Sequence, residues 1–143
     1  MDEIHVYLSV SGFEPAPPAE VTALLGLEPT AAWKDGDRVP GRPDARRPGS
    51  AWRIQSPPPR TATFEDQLQA LLEILETRAD QVRAAAKRYH AQISCAGYFA
   101  SFNPGFGLSA QHVARIAALG LSMDFDLYCL PEEDGTDQPS RGP

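Results

Sequence analysis

The sequence is short of cysteine, with two in 143 residues, Cys95 and Cys129. That excludes the dense disulfide framework of small secreted folds. Both fall in strand-like runs and read as small core residues of a reduced, cytoplasmic protein. A basic excess is also missing. Thirteen Lys and Arg stand against nineteen Asp and Glu, a net charge of −6. This argues against nucleic acid or an anionic membrane as a non-specific partner. No apolar run approaches the ~20 residues of a membrane-spanning helix. The opening MDEIHVYLSVSG has neither the basic start nor the continuous apolar stretch of a secretory leader. The three histidines, His5, His90 and His112, lack metal-ligand spacing. There is no Ser-His-Asp order, nucleophile elbow, H-E-x-x-H or Walker motif. The expectation is no cofactor, no metal and, on balance, no enzyme.

What is present is a hydrophobic fraction of 42%, enough for one core in a chain of single-domain length. Residues 4–11, IHVYLSVS, alternate cleanly. Ile4, Val6, Leu8 and Val10 share one face; His5, Tyr7 and Ser9 share the other. That is a half-buried strand. AWRIQS at 51–56, AQISCAGYF at 91–99 and SMDFDLYCL at 122–130 read the same way. In the last, Met123, Phe125, Leu127 and Cys129 are expected to face inward and Asp124, Asp126 and Tyr128 outward. Between these runs lie helical patterns. Pro17 and Pro18 open a short helix that Gly26 closes. Thr63 caps a pattern running from Phe64 to Tyr89, which as one rod would span about 39 Å. A domain of this size is too small for it, so a break is expected near 76–78, with Thr77 and Asp80 repeating the cap. Ser109 caps a last helix. Residues 28–50, rich in Pro, Gly and charge, read as a long irregular loop, functional or mobile.

Joined in order, these elements suggest an α+β fold. We expect a two-layer α/β sandwich, ferredoxin-like, with a mainly antiparallel four-stranded sheet and helices on one face. Residues 1–130 form this single domain, and the acidic segment 131–143 reads as a disordered tail.

The stretch GFGLSA, Gly105 to Ala110, matches a variant of the dinucleotide-binding fingerprint. That motif requires a strand ending almost at the first glycine. Here the strand ends near Phe99, and Asp124 and Asp126 lie within the next strand. A turn followed by the Ser109 cap is the stronger reading.

Several pieces together, VYLSVSGFEP, LLGLEPTAAWKDGD, WRIQSPP, LLEIL, FNPGFGLS and LGLSMDFDLYCL, resemble the bacterial domain of unknown function 4279 family. They are spread from residue 6 to residue 130. The resemblance implies a small soluble bacterial protein and no particular reaction.

Two sets of residues are candidates for a site. In the first, Trp33 and Trp52 flank a pocket with Asp37 and Arg53 as polar contacts, and the turn carrying Asn103 and Phe106 is a second irregular, Gly-containing loop beside a strand end. It would serve a small-ligand or anion-binding sensor or enzyme built on loops 33–38 and 103–106. The competing view is that both tryptophans anchor the loop on the core. In the second, the open face of the sheet presents Tyr7, Tyr98, Asp124, Asp126 and Tyr128. Aromatic residues there suit an RNA platform, but the acidic balance argues against one. A protein partner or self-association fits better. The leading expectation is a non-enzymatic protein-binding module, for example an immunity-type protein that neutralises a toxin by occluding it.

Overall fold

The computed structural model describes residues 2–100 and 105–129. The first alternating run is strand β1, Glu3–Ser11, with Val6, Leu8 and Val10 buried. Helix α1, Pro18–Leu25, follows. Pro18 occupies its first turn, where a missing N–H costs nothing, and Gly26 ends it at φ 69°. A side chain at Gly26 would be strained at that angle, and a Cβ would sit 3.2 Å from the Arg78 guanidinium.

The expected loop at 28–50 is ordered. Ala31–Trp33 forms β2, and Arg38–Val39 (β3) pairs with Arg42–Arg46 (β4) as a small hairpin. The hairpin is closed at its base by the Arg47 N–H, which donates to the Asp37 carbonyl at 2.8 Å. The Ser50 N–H also donates to the Glu14 carboxylate at 2.7 Å. Strand β5, Ala51–Gln55, then buries Trp52 and Ile54.

Helix α2, Phe64–Glu76, starts at Thr63, whose side chain accepts the Asp66 N–H. Leu68, Leu71, Leu72 and Leu75 bury one face of it, each contributing about 1.5–3 kcal/mol on transfer from water. The predicted break occurs here, and α3 runs Ala79–Arg88. Its expected cap is not formed. The Thr77 hydroxyl instead donates to the Ile74 carbonyl at 2.6 Å, and Arg78 precedes α3 without a side-chain cap.

Strand β6, His90–Phe99, is followed by α4, Ala110–Ala118, and β7, Ser122–Cys129. Ser109 caps α4 by accepting the His112 N–H. Because β6 ends at Phe99 and α4 begins at Ala110, the glycines of GFGLSA do not sit at a strand–helix junction.

The main sheet is mixed and has five strands in the order β2-β5-β1-β6-β7. Four strands were expected; β2 is the fifth. Among the described residues only β6 and β7 pair in parallel. A ferredoxin-like sheet interleaves two βαβ crossovers, whereas here β1 and β5 pair directly as antiparallel neighbours. One core cluster joins Val6, Leu8, Val10, Trp52, Ile54, Ile93 and Cys95 to apolar residues from all four helices.

At its centre is a polar exception. Gln67 of α2 is 0% exposed. Its side-chain carbonyl accepts the Val6 N–H at 3.2 Å. Its amide donates to the Ile4 carbonyl at 2.8 Å and the Ala62 carbonyl at 3.1 Å. A buried amide without such partners would cost several kcal/mol; with them it locks the helix to the strand.

The inward face of β7 differs from expectation. Phe125 is 39% and Leu127 42% exposed, and Cys129 is exposed while Cys95 is buried. Strand β7 is outermost, with a neighbour on one side only among the described residues, so alternation alone does not bury it. Both cysteines are free. The expected tail, 131–143, and Asn103 lie outside the described residues.

Candidate functional site

The sheet face opposite the core collects side chains by register. Tyr7 lies opposite Gln55 on β5 and Ser94 on β6, and Ser94 lies opposite Asp124 on β7. One residue pair along, His5, Ala96 and Asp126 align, and beyond them Glu3, Tyr98 and Tyr128. In the other direction Ser9 faces Arg53, which faces Ala31. Side chains alternate along a strand, so Trp33, two residues on from Ala31, also points to this face.

At the β2–β5 end the face is cationic. The Arg47 guanidinium lies 3.9 Å over the Trp33 ring. That of Arg53 lies 5.1 Å from Trp33 and 4.6 Å over Tyr7. The result is a row, Arg47–Trp33–Arg53–Tyr7, in which ring quadrupoles hold the cations. Neither arginine forms a salt bridge among the described residues. The Nε atoms of both are buried and without a hydrogen-bond partner.

At the β6–β7 end the face is aromatic and acidic. Tyr98 and Tyr128 stack at 5.3 Å with rings 10° apart, and His5 meets Tyr98 edge-on at 6.0 Å. The Tyr128 hydroxyl donates to the Asp126 carboxylate at 2.9 Å. That bond, with the Asp126 charge, raises the Tyr128 phenol above its ordinary value.

Between the two ends His5, Tyr7, Arg53, Gln55, Ala96 and Tyr98 bound a pocket of about 180 Å³. His5 and Gln55 also belong to a larger groove of about 740 Å³, walled by Pro57, Pro58, Pro59 and Arg60. Glu3 lies 3.5 Å from His5 and 3.6 Å from Arg60 at its edge.

The candidates therefore separate. Tyr7, Arg53, Tyr98, Asp124, Asp126 and Tyr128 share the open face, and Trp33 joins them. Trp52 does not. It is paired with Ala32, one residue from Trp33 in register, so it points into the core, where its Nε1–H donates to Thr22 Oγ1 at 2.9 Å. The two tryptophans lie on opposite faces and flank no common pocket. Asp37 is a turn residue whose carboxylate accepts the Lys34 N–H at 2.8 Å.

Phe106 is on the helix side. Its ring meets Phe64 at 5.2 Å, Phe99 at 5.6 Å and Phe125 at 6.0 Å, so Phe106 lies on the face of the sheet opposite Trp33. Arg47 and the proline wall were not singled out from sequence. Arg47 reaches Trp33 only because the hairpin folds back, a non-local event with no sequence signal. Among the described residues no group of three or more His, Cys, Asp or Glu could hold a metal ion. No helix there is long and apolar enough to cross a membrane.

A mixed sheet with one face built into a helix-lined core and the other left to cation–aromatic and tyrosine pairs defines an α+β protein with a differentiated open face. The chain belongs to the family described as Domain of unknown function (DUF4279), which it matches over residues 2–130. No curated protein and no solved structure matches it.

Proposed function

We propose that this protein is a non-enzymatic protein-binding module of the bacterial cytoplasm. The open face of its two-layer α/β sandwich is the docking surface. The observation that carries this reading is the row Arg47–Trp33–Arg53–Tyr7. Guanidiniums braced on rings instead of carboxylates keep N–H donors for an incoming acceptor. Arg, Trp and Tyr are also the residues that anchor interfaces most strongly. The partner presents carboxylates to this row. A toxin occluded by the face is the partner class we anticipate.

The test compares capture of host proteins, including toxins encoded alongside the chain, by three folded forms. These are wild type, R47D/R53D and Lys87→Asp, a control on helix α3. Expected is a partner retained by wild type and control but weakened at least about tenfold by R47D/R53D. Equal capture by all three would sink the reading, as would arginine-dependent retention of single-stranded RNA in place of protein.

The pocket of about 180 Å³ beside Arg53 favours a second reading, a small anion held by Arg53 and Gln55. A thermal-shift series with phosphate, sulfate and simple carboxylates tests it. No stabilisation by any of them removes it.

A further inference from the structure

The open face is electrically two-ended, and its ends match each other. At one end lie Arg47 and Arg53, with Arg38, Arg42 and Arg46 on the adjoining hairpin. Residues 31–60 hold seven Lys and Arg against three Asp, a local excess of +4 in a chain of −6. At the other end Asp124 and Asp126 project from exposed positions of β7, and neither has a salt bridge among the described residues. Between them run Tyr7, His5, Tyr98 and Tyr128, rings suited to packing against rings.

We infer that the open face takes a second copy of this chain, face to face about a two-fold axis running along β1, the middle strand of the five. The inference rests on the docking role proposed for this face: a second copy covers it whenever no heterologous partner is bound. An axis in that direction lays β2 of one copy over β7 of the other, and β5 over β6. Arg53 then lies one strand across from the partner's Asp124, with Arg47 over the partner's β7, and each contact occurs twice by symmetry, as an isologous interface requires. An axis across the strands would lay arginine over arginine, and like charges so placed cost several kcal/mol.

The register allows the contact. Arg53 lies level with Ser122, one residue pair from Asp124 on the same face. That offset is about 7 Å along the strand, within the reach of an extended arginine. Tyr7 already holds Arg53 displaced toward the Asp124 row, since Tyr7, Ser94 and Asp124 are aligned.

Size sets the strength. The five strands run from three residues in β2 to ten in β6, and at about 3.3 Å per residue and 4.8 Å between strands they offer roughly 500 Å² per copy. The total, about 1,000 Å², is at the lower end of specific interfaces, so a micromolar dimer is expected.

The test is sedimentation equilibrium of the full chain from micromolar to near-millimolar concentration, with two variants. R47D/R53D carries acid at both ends of the face, and D124R/D126R carries base at both. Each alone should dimerise at least about tenfold more weakly than wild type. Mixed, they should form a one-to-one heterodimer, because each supplies what the other lacks. Destabilised folding would lower association in the mixture too, so recovery there separates charge from misfolding.

A wild-type chain that stays monomeric throughout overturns the inference, as does a mixture no tighter than its parts. If the wild type is monomeric and R47D/R53D still loses a heterologous partner, the docking face stands and only its occupant is wrong. If neither association nor capture responds to the charges, the docking face fails as well.

Discussion

The two faces of the sheet are made from the same strands by side-chain alternation, yet they use polar groups in opposite ways. On the helix face Gln67, a fully buried polar side chain, satisfies strand β1 at Ile4 and Val6. On the open face Arg47 and Arg53 rest on Trp33 and Tyr7 and leave donors without protein acceptors. The first arrangement closes a hydrogen-bond account within the molecule. The second leaves one open toward another molecule. On the function proposed above, one side serves stability and the other recognition.

That division can be broken most forcefully from the helix face. Gln67→Leu strips the Val6 N–H and Ile4 carbonyl of their buried partner. The expected loss is roughly 2–4 kcal/mol in urea unfolding, with association through the open face unchanged in the protein that remains folded.

Gly97→Ala is expected to cost about 1–3 kcal/mol by overpacking, because its Cβ would lie 2.5 Å from the Phe99 ring. Adding Phe99→Leu should give a total below the sum of the two, since the residues share one space.

From the open face the pattern reverses. Trp33→Ala removes the rest for both guanidiniums. It should lower stability by only about 0.5–1.5 kcal/mol, while weakening partner binding at least about tenfold. A large stability loss with intact binding would erase the contrast between the faces.

A smaller effect separates stability by pH. On the helix side Arg115 donates to both carboxylate oxygens of Glu76 at 2.8 Å, and that pairing holds the Glu76 carboxyl below its ordinary 4.5. A carboxyl depressed in the folded state stabilises above its unfolded value and loses that contribution as pH falls through its folded one. Arg115→Leu should therefore cost up to about 1 kcal/mol at neutral pH, limited by partial exposure. The cost should begin to shrink as pH falls below 4.5 and vanish only once pH has passed the lower folded value, as acid titration of the unfolding free energy would report.

The smallest effect is spectroscopic. Asp126→Asn removes the charge beside Tyr128 and should bring its phenol back toward 10.0, read by ultraviolet absorbance of tyrosinate.

Much of this was legible in the residues themselves. The alternation of β1, β5, β6 and β7, the break between α2 and α3, and the caps at Gly26, Thr63 and Ser109 depend on local chemistry. What escaped was non-local. Strand β2 is three residues long in a stretch dominated by Pro, Gly and charge, so no alternation announces it. Without β2 the parity separating Trp33 from Trp52 had no reference, and the two were placed together. Gln67 looks like any polar residue on a helix until β1 is packed against it. The inward residues of β7 alternate as a buried strand would, and only the sheet order reveals that β7 lies at the margin. For the site, the tyrosines and aspartates of the open face followed from alternation, whereas Arg47 needed the hairpin.

The contrast between the two thiols has a practical consequence. Burial pushes Cys95 up to about 11, so it stays protonated and shielded, while Cys129 is exposed on the outermost strand. A maleimide dye should therefore attach at one position without any cysteine being engineered away. Cys129 pairs with Phe99 on the helix-facing side, so the dye would lie behind the sheet, clear of the contact surface, and two such dyes would report its formation by energy transfer.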